Sequence, residues 1–377
     1  MFFIPYLILA GIIFFLYLNE NGHVKFLSKN HSRWIAYIIM WLFIGLRGHI
    51  MSDFINYVIT FEEMPDIFHL TSFRGFERIE PGFVIYTSII KLFTDNYFAW
   101  VAINTLIDLI VFAWFFKRYC QSMILPLVFF IAFNGLLIEF NLYRNIKAID
   151  LFLLSIPYLE KRKIVPYMLL NLLGVMFHNS ALLFLPLYFV LTLRMSMAVI
   201  WSGFVISNLV FLLHISIIGD IINNLSFMQN MVAYDKIMGY ANRAEVNELS
   251  FGYIERTLTF ILFYWQFKKI VSRYPAYVIF YNCFWIYYCS TLIFYEVVVF
   301  VERIPYLFMF TYWVIYPRVL EIKSYYQNVI KIAVAMLVVM KIMASYRSLG
   351  SAYSNVMFSE PNYKERKAVV LKEFRNR

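Results

Sequence analysis

The chain has 377 residues, of which 62% are hydrophobic and 15% charged, and its mean hydropathy is +0.68. A soluble domain is nearer half apolar and a quarter charged, so these values exclude a water-soluble enzyme and point to one polytopic membrane domain. The net charge of +10 is spread over short linkers in the manner of topology signals, which argues against a nucleic-acid partner.

The first apolar run, 2–18, carries no basic leader and no small-residue cleavage site, and reads as a retained span. Further runs fall near 33–46, 82–93, 97–116, 121–138, 146–159, 164–177, 180–193, 197–213, 251–267, 275–298, 304–320 and 327–344. They are continuous rather than alternating, which excludes a β-barrel. A straight crossing needs about 20 residues, so the shortest runs must borrow flanking residues, break or re-enter. The expected fold is all-α, with about 12 transmembrane helices plus short re-entrant or interfacial pieces. No internal repeat or low-complexity linker interrupts it.

Charge sets the expected orientation. The linkers 20–33, 117–118, 160–163, 268–273 and 318–323, together with Arg194, carry a positive excess and are assigned to the cytoplasm. The loops 47–80 and 214–250 are net acidic and are assigned outside. Two runs then separate loop 47–80 from Lys117-Arg118, so one must not cross, and the amphiphilic run 82–93 is the choice. Residues 1–345 are expected to form the membrane domain and 346–377 a basic tail. Alternation puts that tail outside, against its charge. Cys120, Cys283 and Cys289 show no metal-ligand spacing and read as small hydrophobes.

Ionised side chains at the edges of these runs are the candidates for chemistry, since a charge at such depth needs a partner or a wet cavity. Arg47 closes an early run, and Asp53 and Tyr57 are four apart, on one helical face. The plainer reading is a snorkelling arginine and a capping aspartate. Glu80-Pro81-Gly82 opens a helix, with Glu80 either its cap or an acidic anchor for an arginine or a sugar hydroxyl. Arg144 and Lys147 are three apart and can face one phosphate-bearing ligand together, with Asp150 nearby. His178, with Asn179 and Ser180, sits in a tight turn between two short runs and can hold or pass a proton near neutrality. Glu302-Arg303 and Glu255-Arg256 each open a later run, and both arginines are candidate phosphate or sugar contacts. Tyrosines of 214–250 can stack on sugars, although interfacial tyrosines are common without a ligand. There is no phosphate loop, no HExxH, no Cys/His cluster and no Asp-x-Asp pair, which argues against a nucleotide-sugar donor, a metal or any other cofactor.

The order of Arg47, Asp53 with Tyr57, Glu80-Pro81-Gly82, YRNIKAIDLFLLSI, FHNSALLFLP and ERIPYLFMF resembles the EpsG-like family of Wzy-type bacterial polysaccharide polymerases. The resemblance covers roughly residues 40–190 well and 250–345 weakly. Met51 stands where the family often has glycine, and Asn145 stands where it has glutamine after the arginine. The resemblance implies a GT-C-like glycosyltransferase of the bacterial inner membrane that polymerises O-antigen, capsular or exopolysaccharide. Its donor and acceptor would be repeat units on undecaprenyl diphosphate. A chain-length regulator and a flippase of the same pathway would be its partners, besides the lipid bilayer. Such a reaction needs charge for a departing diphosphate and a base for an attacking hydroxyl. Arg144 and Arg303 are assigned to the first, with Arg47 beside them, and Asp53 or His178 to the second. Tyr57, Glu80, Lys147, Arg256 and Glu302 are assigned to substrate binding. A lipid-linked glycan flippase, an O-antigen ligase and an acyltransferase remain as alternatives from the residues alone.

Overall fold

The structure is a computed structural model that describes residues 1–72, 79–215, 250–295, 305–358 and 362–375. Among the described residues it is all-α: sixteen α-helices, short 3-10 turns and no strand. Two compact units divide them, Met1–Tyr188 with Tyr316–Arg377, and Phe189–Ile315.

The first unit opens with α1 (Ile4–Glu20) and α2 (Lys29–Gly45), followed by α3 (Phe54–Glu63), α4 (Pro81–Ile90) and α5 (Tyr97–Tyr119). A broken segment, α6 (Leu125–Ala132) and α7 (Gly135–Asn141), leads into α8 (Tyr143–Glu160), α9 (Ile164–Phe177) and α10 (Phe184–Leu187). The second unit holds α11 (Met197–Leu212), α12 (Phe251–Arg273), α13 (Tyr277–Ile293) and the start of α14 (Phe310–Glu321). The chain then returns to the first unit for α15 (Gln327–Ser345) and α16 (Tyr363–Arg375).

Local chemistry explains many of these boundaries. Ser28, Asn96, Ser196 and Ser250 each cap a helix by accepting from a first-turn N–H. Prolines occupy the first turns of α1, α4 and α6, where their missing donor costs nothing. The run 121–138 is one apolar stretch in sequence but breaks at Asn134, whose φ of +57° is left-handed. The run 180–193 does not form one helix either. It becomes a 3-10 turn, Asn179–Leu183, and the single turn of α10.

Helices α5 and α15 are long and apolar enough to cross a bilayer unaided, and α1, α4, α9, α11 and α13 are shorter apolar helices. Large apolar side chains are exposed in stripes at helical spacing, such as Ile8, Ile12 and Phe15 on α1, and Val165, Leu169, Leu172 and Met176 on α9. Contiguous apolar faces of this kind suit lipid rather than water, and the protein is a membrane protein.

Contacts within the first unit define two ends. At one end Glu20 accepts from Arg33 (2.6 Å) and from the Ser122 hydroxyl. There Tyr119 meets Glu160, and Arg318 donates to Tyr119 O (2.9 Å) and Glu321 (2.7 Å). The basic linkers 20–33, 117–118 and 318–323 thus converge. The other end gathers the turn after α2, the starts of α3, α4 and α8, the end of α9, and the tail. Tyr6 stacks on Tyr346 at 3.9 Å and donates to Ser351 O, so α1 and α15 connect the two ends.

The tail packs on the turn after α2. Val356 N–H donates to Leu46 O (2.9 Å), Gly48 N–H to Ser354 O (3.0 Å) and Met51 N–H to Gly350 O (2.9 Å). Arg366 of α16 caps the carbonyls of His49, Gly350 and Ala352. The start of loop 47–80 and the described part of the tail therefore share an end of the first unit. Met51 takes φ +64°, the left-handed region where glycine is at ease. A methionine therefore holds a backbone conformation in this turn that glycine would adopt without strain. Cys283 and Cys289 are buried as small hydrophobes, and Cys120 is half-buried.

Candidate functional site

Glu80 is the centre of the cluster. It occupies the position before α4, yet its carboxylate makes no capping bond to that helix. Instead Oε2 accepts from Arg144 Nη1 at 2.5 Å, and Oε1 pairs with His178 Nδ1 at 2.9 Å and lies 3.4 Å from Asn179 N. Glu80 thus pairs with an arginine and a histidine rather than capping α4.

Each residue of the Glu-Pro-Gly triplet has a physical task. Pro81 starts the helix. Gly82 lets α4 press on the last turn of α9: a Cβ there would lie 2.8 Å from both Met176 Cβ and Met176 O. That approach sets Glu80 against His178, which follows α9 directly. His178 turns the chain out of the helix with extended backbone (φ −159°, ψ 131°), while its N–H still bonds Gly174 O at 2.9 Å. With Nδ1–H donated to Glu80, Nε2 carries the lone pair and has no partner among the described residues.

Arg144, in the first turn of α8, also donates through Nε to the Tyr57 hydroxyl at 3.2 Å. Its side chain keeps 27% exposure, and Nη2 has no partner among the described residues, so the fork is held on one side and open on the other. Tyr57 is fixed by ring contacts with Tyr143 (4.6 Å) and Phe83 (6.0 Å). Burial pushes its phenol up to about 12 despite the opposing Arg144 charge, so it stays a neutral hydroxyl. For Glu80, burial alone would favour the acid. The His178 hydrogen bond and the Arg144 charge outweigh it and hold the carboxyl down at about 2. An ionised Glu80 thus orients an imidazole and a guanidinium together.

Asp53 immediately precedes α3, one turn before Tyr57, and is half-buried. Its oxygen accepts from Ser52 Oγ at 3.2 Å, and the Ser52 and Asp53 N–H groups both point to Asn141 Oδ1 (3.2 and 3.3 Å). Its charge reaches Tyr57, which places it at the margin of the cluster.

Arg47 and Lys147 turn inward instead. Arg47 is 3% exposed and donates to Ile44 O (2.6 Å), Glu139 O (2.8 Å) and Tyr143 OH (2.8 Å). It ties α2, α7 and α8 together beneath the cluster. Lys147 pairs with Asp108 of α5 and donates to Asn104 O at 3.1 Å. The expected joint face of Arg144 and Lys147 is not formed. Three residues turn a helix by roughly 300°, enough for one side chain to reach solvent and the next to reach α5. Arg256 belongs to the second unit, where Glu255 accepts from Thr259 (3.0 Å) and Arg256 Nε is buried without a partner among the described residues. Glu302 and Arg303 lie outside the described residues, as do the tyrosines of 219–249. Among the described residues no group of three His, Cys, Asp or Glu is placed to hold a metal.

Sequence reasoning missed three participants. Asp108 is a lone charge inside an apolar run, which is itself a signal. Asn141 and Tyr143 hold the Asp53 turn and Arg47, and nothing in their sequence context marks them. The comparisons add the family. No curated protein and no solved structure matches the chain. The EpsG family model matches residues 32–358, a span that takes in Arg47, Asp53, Tyr57, Glu80, Arg144 and His178, and the chain belongs to the EpsG family.

Proposed function

We propose that the protein is a multi-pass glycosyltransferase of the bacterial inner membrane that polymerises undecaprenyl-diphosphate-linked repeat units on the outer face. EpsG family membership implies a glycosyltransferase-like polymerase of polysaccharide biosynthesis, and the lipid donor, the sidedness and the reaction below are our reading. The observation that carries it is the Glu80 carboxylate bridging His178 and Arg144.

In this reading the acceptor hydroxyl attacks the anomeric carbon of the donor chain. Its proton passes to His178 Nε2, and Glu80 stabilises the imidazolium through Nδ1–H. The bond from the anomeric carbon to the diphosphate breaks, and the oxygen leaves with the electron pair. The open edge of Arg144 meets that charge, and Arg303 is assigned to the same anion. A guanidinium keeps its charge in a low-dielectric site, so the step is proposed to proceed without a metal. Tyr57 fixes Arg144, and Asp53 is placed to receive an acceptor sugar hydroxyl. The fold is read as GT-C-like with about 12 crossings, broken segments included. A chain-length regulator and a flippase are its proposed pathway partners.

Surface glycan from cells carrying Arg144→Ala, Arg303→Ala or His178→Asn tests this. Single repeat units without long chains are expected. Loss of all surface glycan would indicate a flippase or a ligase instead.

A further inference from the structure

A second site has its mouth at the other end of the first unit, away from Glu80, and runs back along α1 and α15. A cavity of about 700 Å³ opens between α1, α6 and α15. Its wall on α1 is Leu7, Ala10, Gly11, Phe14 and Leu18, one helical face. Val334, Val338 and Ile342 of α15 face them, with Leu125 and Val128 of α6 as the floor.

Its mouth is charged. Lys29, Arg33, Lys323 and Lys331 line it, with His23, against two carboxylates, Glu20 and Glu321. Both carboxylates are already held, Glu20 by Arg33 (2.6 Å) and Glu321 by Arg318 (2.7 Å). Lys29 and Lys331 are exposed and have no partner among the described residues. The mouth thus keeps cationic charge to offer, while the walls beyond it are apolar.

The shape agrees with that gradient. Leu7 to Asn21 spans roughly 21 Å of helix, at about 1.5 Å per residue. That exceeds the thickness of one leaflet's hydrocarbon, roughly 15 Å. A Cβ placed on Gly11 would meet nothing within 4 Å, so the groove is open at its middle.

We propose that this groove binds one anionic glycerophospholipid of the bilayer, with its phosphate among Lys29, Lys323 and Lys331 and an acyl chain along α1 and α15. An apolar slot of this length has no use for a free phosphate, and a cationic mouth adds nothing for a neutral lipid. The polyprenyl diphosphate of the proposed reaction is assigned to the opposite end. The lipid site does not depend on that reaction, because its test reads lipid binding alone.

The test is native mass spectrometry of the full-length protein in detergent, titrated with phosphatidylglycerol or phosphatidylcholine of the same chains. One phosphatidylglycerol should be retained, with phosphatidylcholine at least tenfold weaker, since each nearby lysine favours an anionic head. Lys29→Gln with Lys331→Gln should abolish the preference but leave weak binding of both lipids. Gly11→Phe should fill the slot and remove both, with an unchanged elution volume showing that the fold is kept. Equal affinity for the two lipids, or undiminished binding in folded Gly11→Phe, would overturn the proposal. So would displacement of phosphatidylglycerol by equimolar polyprenyl phosphate, while inorganic phosphate should displace nothing.

Discussion

Glu80 and His178 are 98 residues apart in sequence, yet Glu80 Oε1 lies 2.9 Å from His178 Nδ1. The same carboxylate holds Arg144 through its other oxygen. One acidic group therefore fixes an imidazole and a permanent cation in a single geometry, which is the relationship the proposed reaction uses.

Glu80→Gln should separate charge from shape. Glutamine fills the same volume and keeps one acceptor, but it cannot stabilise an imidazolium or neutralise Arg144. Transfer is expected to fall by roughly ten- to a hundredfold, within the range of single electrostatic contributions. Folded yield should change little. An unaltered rate would remove Glu80 from the mechanism.

Arg144→Lys should fail where charge alone would suffice. Lysine cannot donate to Glu80 and Tyr57 while keeping a third edge open. Polymer length on a glycan gel should drop nearly as far as in Arg144→Ala. Full-length polymer from the lysine variant would show that the fork is dispensable.

Arg47 should behave differently from Arg144. Its substitution by alanine leaves Glu139 O, Ile44 O and Tyr143 OH without their buried donor. Tyr143 OH keeps the Tyr97 hydroxyl at 3.1 Å, and each carbonyl left without a partner costs about 1–3 kcal/mol. The amount of folded protein recovered from membranes should fall for Arg47→Ala and stay near normal for Arg144→Ala. Equal recovery of both would contradict the scaffold role given to Arg47.

Gly82→Leu tests the approach of α4 to α9. Its side chain would meet the Met176 backbone at about van der Waals overlap, so the helices must part. Overpacking of this kind costs about 1–3 kcal/mol and would pull Glu80 from His178. Thermal stability and polymerisation should fall together, and unchanged values of both would show that the contact is not tight.

His49 makes tail docking sensitive to acid. Its ring lies among Phe54 (4.8 Å), Phe98 (5.1 Å), Tyr363 (5.5 Å) and Tyr97 (6.0 Å), and its carbonyl accepts from Arg366. Burial, aided by the Arg366 charge, lowers its pKa from the usual 6.5 to about 4. The folded state therefore favours neutral His49. Its stabilisation is whole above about 6.5 and is lost as pH falls towards 4, where the unfolded state binds the extra proton. Protease cleavage of α16 should rise across that window in wild type and flatten in His49→Phe.

The all-α membrane class was legible because composition and continuous apolar runs leave few alternatives. Run 82–93 forms the ten-residue α4, tied before its start to Arg144 and His178 through Glu80 and after its end to Met64 O through Lys91 at 2.7 Å. The break at Asn134 was not legible, since hydropathy averages over a local left-handed residue. The site was partly legible. Glu80, Arg144 and His178 stood out as charges beside apolar runs, and the structure brings them together with Tyr57. Arg47 and Lys147 carried the same signal but satisfy their charge inside the bundle. A charge at depth announces a partner, and only packing tells whether that partner is protein or ligand.

The rate of glycan transfer by purified protein, with lipid-diphosphate repeat units in the presence of chelator, tests the central claim. Wild type should elongate chains, and His178→Asn should lose roughly a hundredfold or more, as expected for removal of a general base. Transfer by His178→Asn within about threefold of wild type would contradict the account, because one lost contact of that size is worth under 1 kcal/mol.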